Sequence, residues 1–261
     1  MRSLQVSTGP IMTVSYFTTT QNRKLAYRRH EASANRPGFV WLSGFKSDMQ
    51  GSKVLRLEAW AKAGDFNFLA FDYSGHGQSE GAFENGTISQ WREDALAAID
   101  TLTQGPQILV GSSMGGWMAL LAAIARPDRI AGMVLIAPAP DFTEKLMWPS
   151  LLPEEQKEIL QNGVYLQPSD YDEPLPLTKA LFEDGKHWQI MDAPIAFAGP
   201  VRILQGRLDE PVPWEHAQRL VELITSDDLT FTLIKDGDHR LSREQDIERL
   251  LEMCGEIAGV V

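Results

Sequence analysis

From Ser15 to Arg29, apolar and polar residues alternate on either side of Gln21-Asn22-Arg23, the pattern of an opening antiparallel hairpin. The pattern then changes to short, mainly apolar runs. Phe39-Val40-Trp41-Leu42, Asn67–Phe71, Gln107–Val110, Gly132–Ala137, Val201–Leu204 and Leu229–Ile234 each read as a strand, Gln107–Val110 as a buried one. Segments of helical period lie between them. Lys53–Ala63 carries Val54, Leu57 and Ala61 and ends at Gly64. Thr87-Ile88-Ser89-Gln90 opens as a capping box, with Ile88, Trp91, Ala95, Ile99 and Leu102 on one face behind it. Further helices are predicted after Gly116, stopped by Arg126-Pro127, then over His216–Ile224 and over Glu244–Ile257.

Strands alternating with helices predict an α/β fold, a mostly parallel central sheet with helices on both faces. The alternation lapses from Phe142 to Gly199, where Pro149, Pro153, Pro168, Pro174, Pro176 and Pro194 interrupt the chain. Only short helical segments, near Glu154–Leu160 and Leu177–Trp188, are legible there. The expected organisation is therefore one core in two parts, 13–141 and 200–261, with 142–199 inserted as a helical lid.

Length and composition agree with one globular domain: 261 residues, 43% hydrophobic and 23% charged. The formal charge of −11, from 24 Lys+Arg against 35 Asp+Glu, argues against nucleic-acid partners and anionic membrane surfaces. A single cysteine, Cys254, excludes an internal disulfide framework and suits a reducing compartment. No run approaches the length of a membrane span, so integral membrane association is not expected. Met1–Met12 carries neither a signal-peptide pattern nor an Arg-rich transit peptide, and Met12 is an alternative start. A cytoplasmic protein is the expectation.

The chemistry is concentrated at Gly111-Ser112-Ser113-Met114-Gly115-Gly116, between a buried strand and a helix. Gly-x-Ser-x-Gly in that setting is the pattern of a nucleophile elbow, with the Ser113 hydroxyl exposed above the sheet. A serine nucleophile needs a base, a carboxylate to orient that base, and donors for the oxyanion. His239, in Asp236-Gly237-Asp238-His239 after the last strand, is the candidate base. Asp209, after the penultimate strand, is the candidate acid; Asp141, one strand earlier, is its rival. Asp238 is too close to His239 in sequence to meet the ring Nδ1. The backbone N–H groups of Phe45 and Met114 are the candidate oxyanion donors. Gly44 followed by bulky Phe45, without a His-Gly-Gly-Gly stretch, favours medium-to-long acyl groups over bulky tertiary-alcohol esters. His30, His76, His187 and His216 show no metal-ligand spacing, so neither a metal nor a cofactor is implied; His76 reads as a buttress of the site. Trp148, Leu151, Leu152 and Trp188 are candidate walls of a substrate pocket under the lid.

Phe71-Asp72-Tyr73-Ser74-Gly75-His76-Gly77-Gln78-Ser79, Gly111–Gly116, Gly206–Pro213 and Gly237-Asp238-His239 together resemble the α/β-hydrolase superfamily over nearly the whole chain from Tyr16 onward. Trp91-Arg92, Gly105–Ser113, Ala123–Pro127, Val212-Pro213-Trp214 and Asp238-His239-Arg240 are similar to its mitochondrial branch of acyl-glucuronide esterases and palmitoyl-protein thioesterases. That resemblance implies hydrolysis of small-molecule esters or S-acylated substrates, with Ser113, Asp209 and His239 as the triad. The lid stretch is the part least like that branch, and no mitochondrial presequence is legible. Lipase or peptidase chemistry on the same fold is the alternative, followed by a non-catalytic binding protein. Dehalogenases and epoxide hydrolases carry an aspartate where Ser113 stands.

Overall fold

The computed structural model describes residues 13–33, 36–168 and 173–261. The stretch Met1–Met12, read above for targeting signals, lies outside them. Strands β1 (Ser15–Thr18) and β2 (Lys24–His30) form the expected antiparallel hairpin, and β2 pairs antiparallel with β4 (Phe68–Phe71). The remaining pairings among β4, β3 (Gly38–Leu42), β5 (Gln107–Ser112), β6 (Ile130–Ile136), β9 (Val201–Gly206) and β10 (Leu229–Ile234) are parallel. The eight strands lie in the order β1-β2-β4-β3-β5-β6-β9-β10.

Alternation along each strand divides the interior between two faces. Val40, Leu42, Leu69, Leu109, Leu135 and Ile203 belong to the core that includes helices α2 (Ile88–Leu102), α3 (Met114–Ala125) and α7 (Trp214–Leu223). Phe39, Trp41, Phe68, Ile108, Val110, Val134 and Leu204 belong to the other, with α1 (Ser52–Ala63) and α8 (Glu244–Ala258). Cys254 is buried on the α8 side of that second core, and burial pushes its thiol well above the usual range.

Residues 142–199 leave the sheet after β6 and return at β9. A π-turn over Thr143–Met147 runs into the short α4 (Trp148–Ser150), then α5 (Pro153–Asn162) and α6 (Lys179–Gly185). Leu151, Ile159, Leu177 and Phe182 make a small core of their own. The stretch is not purely helical. Strands β7 (Val164–Gln167) and β8 (Leu175–Thr178) pair as an antiparallel hairpin. Pro174 and Pro176 hide this element from sequence patterning; proline is tolerated where a strand has a free edge, as each strand of a two-stranded sheet does.

The far end of the segment is tied to the core by polar contacts. Asp184 accepts hydrogen bonds from the Ser89 N–H at 2.7 Å and the Ser89 hydroxyl at 2.5 Å. The Trp188 indole donates to the same hydroxyl at 2.7 Å, and the Arg92 guanidinium lies 4.4 Å from the Trp188 ring centre.

Candidate active site

The C-terminal edge of the sheet carries the candidate residues because every parallel strand points its following loop there. Ser113 joins β5 to α3 with φ 55° and ψ −118°, a conformation costly for a residue with a side chain. Its neighbours over-determine that conformation. The Ser113 N–H donates to the Ile136 carbonyl at 2.8 Å, and its own carbonyl accepts from Gly116 at 2.8 Å and Ala139 at 3.1 Å.

The flanking glycines are required by close approach. A Cβ at Gly115 would lie 1.9 Å from the Leu42 carbonyl oxygen, and one at Gly111 would lie 2.4 Å from the Gly115 oxygen. The elbow therefore packs directly on the end of β3. Gly44, just beyond that end, has its own Cβ position 3.3 Å from the Ser112 oxygen, so Phe45 follows a residue that abuts the elbow. Met114 is the first residue of α3, and its N–H is among the donors a helix N-terminus leaves unpaired.

Three loops converge on one hydrogen-bonded chain. His239 Nε2 lies 3.1 Å from the Ser113 hydroxyl oxygen, and His239 Nδ1 lies 2.8 Å from Asp209 Oδ2. The Asp209 side chain is wholly buried while that of His239 is 27% exposed. Asp209 also accepts from the Val212 N–H at 2.8 Å and the Gln205 side-chain amide at 2.9 Å. Three donors on one buried carboxylate compensate the cost of removing its charge from water. The Asp209 and His239 loops touch: a Cβ at Gly206 would come within 2.4 Å of the Asp238 oxygen.

Of the two other carboxylates weighed from sequence, neither is turned toward His239. Asp141 accepts from the Ile190 N–H at 2.9 Å and the Met191 N–H at 2.9 Å, tying the returning chain of 142–199 to the end of β6. Burial is the main reason its carboxyl lies above the usual range, partly countered by those two donors. Asp238 accepts from the Leu241 N–H at 2.9 Å and so closes the turn that carries His239.

Two of the histidines outside this chain, His216 and His76, contact backbone groups. His216 lies 2.8 Å from the Pro140 carbonyl, and burial lowers its pKa. His76 is buried between the Ser74 carbonyl and the Lys46 N–H, each 3.2 Å away. Among the described residues no group of His, Cys, Asp and Glu is arranged to hold a metal ion.

The four pocket candidates scatter. Trp148 and Leu151 pack within the small core of 142–199, with the Trp148 and Phe182 rings 5.0 Å apart. Leu152 is 61% exposed at the start of α5, and Trp188 lies against α2. Gln205 escaped sequence reading because a glutamine inside an apolar strand carries no signature. Its contact with Asp209 depends on the turn that brings Asp209 back beside the strand.

The serine aminopeptidase S33 family model matches residues 41–169. Mouse palmitoyl-protein thioesterase ABHD10, named as mitochondrial, is 36% identical over 240 residues, covering 91% of this chain and 80% of its own length. This chain belongs to the ABHD10-type α/β hydrolases. It is a serine hydrolase by family and thus an enzyme. The solved structure of mouse α/β hydrolase domain-containing protein 10 matches with a TM-score of 0.85 at 35% identity, covering 94% of this chain and 97% of that one. A protein of Agrobacterium vitis S4 assigned as a hydrolase matches with a TM-score of 0.91 at 42% identity, covering 95% and 100%. An ABHD10-type hydrolase is suited to ester or thioester cleavage. No helix among the described residues is long and apolar enough to cross a membrane.

Proposed function

We propose that this ABHD10-type hydrolase cleaves S-acyl thioesters and carboxylic esters of the acyl-glucuronide type through an acyl-enzyme on Ser113. The hydrogen-bonded chain from Ser113 through His239 to buried Asp209 is the observation that carries this reading. His239 Nε2 takes the Ser113 hydroxyl proton as the oxygen attacks the acyl carbonyl carbon. Asp209, held by Gln205 and Val212, keeps the proton on Nδ1 and stabilises the imidazolium. The N–H groups of Phe45 and Met114 receive the negative charge that develops on the carbonyl oxygen. When the tetrahedral intermediate collapses, the bond to the alcohol or thiol breaks and His239 returns its proton to that leaving group. Water then enters, gives a proton to His239 and attacks the acyl carbon; as the bond to Ser113 breaks, His239 returns that proton to the Ser113 oxygen and the acid leaves.

The segment 142–199 acts in this reading as a cap. Phe83, Val164, Leu166, Pro174 and Pro176, together with the charged Lys46, Glu84 and Glu173, line a cleft of about 440 Å³ between hairpin β7–β8 and the core. Phe83 stacks edge-on against Phe45 at 5.0 Å, so the cleft begins beside the proposed oxyanion donor. Apolar walls suit an acyl chain. A cavity of about 490 Å³ bounded by Arg29, Arg36, Asn67 and Gln107 lies at the opposite edge of the sheet and has no part in this chemistry.

The test is fluorophosphonate labelling combined with turnover of p-nitrophenyl esters and acyl-thioester analogues of graded chain length. Labelling and burst release in the wild type, both lost in Ser113→Ala, are expected. Full turnover in Ser113→Ala would exclude the mechanism.

A further inference from the structure

We propose that His76 is a positioning residue for the oxyanion loop: its Nε2 accepts the Lys46 backbone N–H and thereby fixes the peptide that follows Phe45. The inference rests on the assignment of Phe45 as an oxyanion donor.

The hydrogen bonds determine the tautomer. The Ser74 carbonyl, 3.2 Å from Nδ1, can only accept, so Nδ1 carries the ring proton. Nε2 then presents a lone pair, and the group it meets, the Lys46 N–H at 3.2 Å, can only donate. Ring orientation and protonation state are thus both set by backbone. A doubly protonated ring would face Lys46 with two donors and no acceptor between them. Burial brings the His76 pKa down to about 4, against smaller opposing effects of the Ser74 hydrogen bond and the Asp48 charge, so the acceptor persists at neutral pH.

Lys46 needs such a restraint. Its φ of 53° is left-handed, a conformation unfavourable for a residue with a Cβ. The platform that supplies the restraint is rigid. The His76 ring meets Tyr73, Phe83 and Trp91 at 5.7, 5.1 and 5.2 Å. Phe83 and Trp91 also meet the Phe45 ring, at 5.0 and 5.7 Å. Both the side chain of Phe45 and the peptide after it are therefore referred to one aromatic cluster. Further along the loop, Asp72 accepts from the Met49 N–H at 2.8 Å and from the Gln78 N–H at 2.9 Å. The two loops are joined at both points.

A histidine that only filled space would be replaced by phenylalanine at little functional cost. A positioning histidine would not. Misplacing an oxyanion donor weakens transition-state binding while leaving ground-state binding nearly intact. His76→Phe is expected to lower kcat for a p-nitrophenyl acyl ester by about 10- to 100-fold with KM changed less than about threefold. Affinity for a trifluoromethyl ketone transition-state analogue should fall in the same proportion. His76→Gln, which returns an acceptor oxygen, should recover most of both. Wild-type kcat and analogue affinity in a folded His76→Phe variant would overturn the proposal, as would equal losses in the Phe and Gln variants. Should the variants fail to fold, nitrogen NMR of the wild-type imidazole decides: a protonated Nδ1 with an unprotonated, hydrogen-bonded Nε2 is required, and the opposite tautomer refutes it. Ser113→Ala in parallel separates the two readings. Activity surviving in Ser113→Ala removes the serine mechanism itself, whereas loss there with an unaffected His76→Phe removes only this inference.

Discussion

His239 Nδ1 meets Asp209 Oδ2 at 2.8 Å, and the carboxylate that makes this contact is wholly buried. The Gln205 amide and the Val212 N–H donate to the same carboxylate at 2.9 and 2.8 Å. A carboxylate held in this way has one orientation to offer the imidazole, and the ring in turn offers Nε2 to Ser113 at 3.1 Å. Asp141, the other carboxylate that follows a neighbouring strand, spends both oxygens on the backbone of Ile190 and Met191.

Exchange of these two carboxylates for amides should therefore separate chemistry from architecture. Asp209→Asn is expected to lower kcat by about 10⁴, because an amide cannot hold the required imidazole tautomer. Asp141→Asn keeps an acceptor for Ile190 and Met191 and tolerates the left-handed φ of 55°. Its kcat should stay within a few-fold of wild type, with stability lowered by about 1–2 kcal/mol. Steady-state kinetics on p-nitrophenyl esters and urea unfolding of both variants check this; the reverse pattern would move the acid to Asp141.

Gln205→Leu removes the amide that donates to Asp209 Oδ2 at 2.9 Å and to the Val212 carbonyl at 3.1 Å. The carboxylate then keeps only the Val212 N–H and His239. A hydrogen bond to a charged group contributes roughly 1.5–3 kcal/mol, so kcat should fall by about 10-fold or more with KM little changed. An unaltered kcat would mean that Val212 alone suffices to orient Asp209.

Arg28 and Glu58 form an ion pair at 2.8 Å whose side chains are only 2% and 9% exposed, and Arg28 also donates to the Met49 carbonyl. Glu58→Ala would leave the guanidinium buried without its counter-charge and should destabilise the protein by about 3–5 kcal/mol. The pair Arg28→Met with Glu58→Leu removes both charges and should recover most of that loss. Chemical denaturation of the two variants distinguishes this from simple loss of packing, which would make the double variant the less stable.

The pH dependence of stability should carry the signature of His76. Its pKa is about 4 folded, against 6.5 for the free side chain, so the unfolded chain binds a proton first as pH falls. This group's contribution is fully present above about pH 6.5 and is lost as pH drops toward 4, roughly 3 kcal/mol in all. Between pH 8 and pH 4.5 the wild type should therefore lose about 2–3 kcal/mol more than His76→Phe in urea unfolding. Parallel pH profiles for the two proteins would contradict the low folded pKa.

What the chain determined by itself was whatever depends on neighbours along it. Strand alternation in β3, β5 and β6 divides residues between two cores because successive side chains point to opposite faces, and the continuous apolar run Phe39–Leu42 marks a strand covered on both faces without any partner strand. The elbow is legible because Gly111, Ser113 and Gly115 fall in one short pattern between an apolar run and a helix, although the close approach of Gly115 to Leu42 is set by packing. Tertiary structure decided the choices between residues with equivalent sequence positions. Asp209 and Asp141 both follow strands, and only packing turned one to His239 and the other to Ile190 and Met191. Leu151 and Leu152 are adjacent and alike, yet one is buried and the other 61% exposed. His76 gained the Lys46 N–H from a loop 30 residues earlier in the chain, where no local pattern carries information, and Gln205 meets Asp209, only four residues on, because the turn after β9 brings the carboxylate back beside the strand.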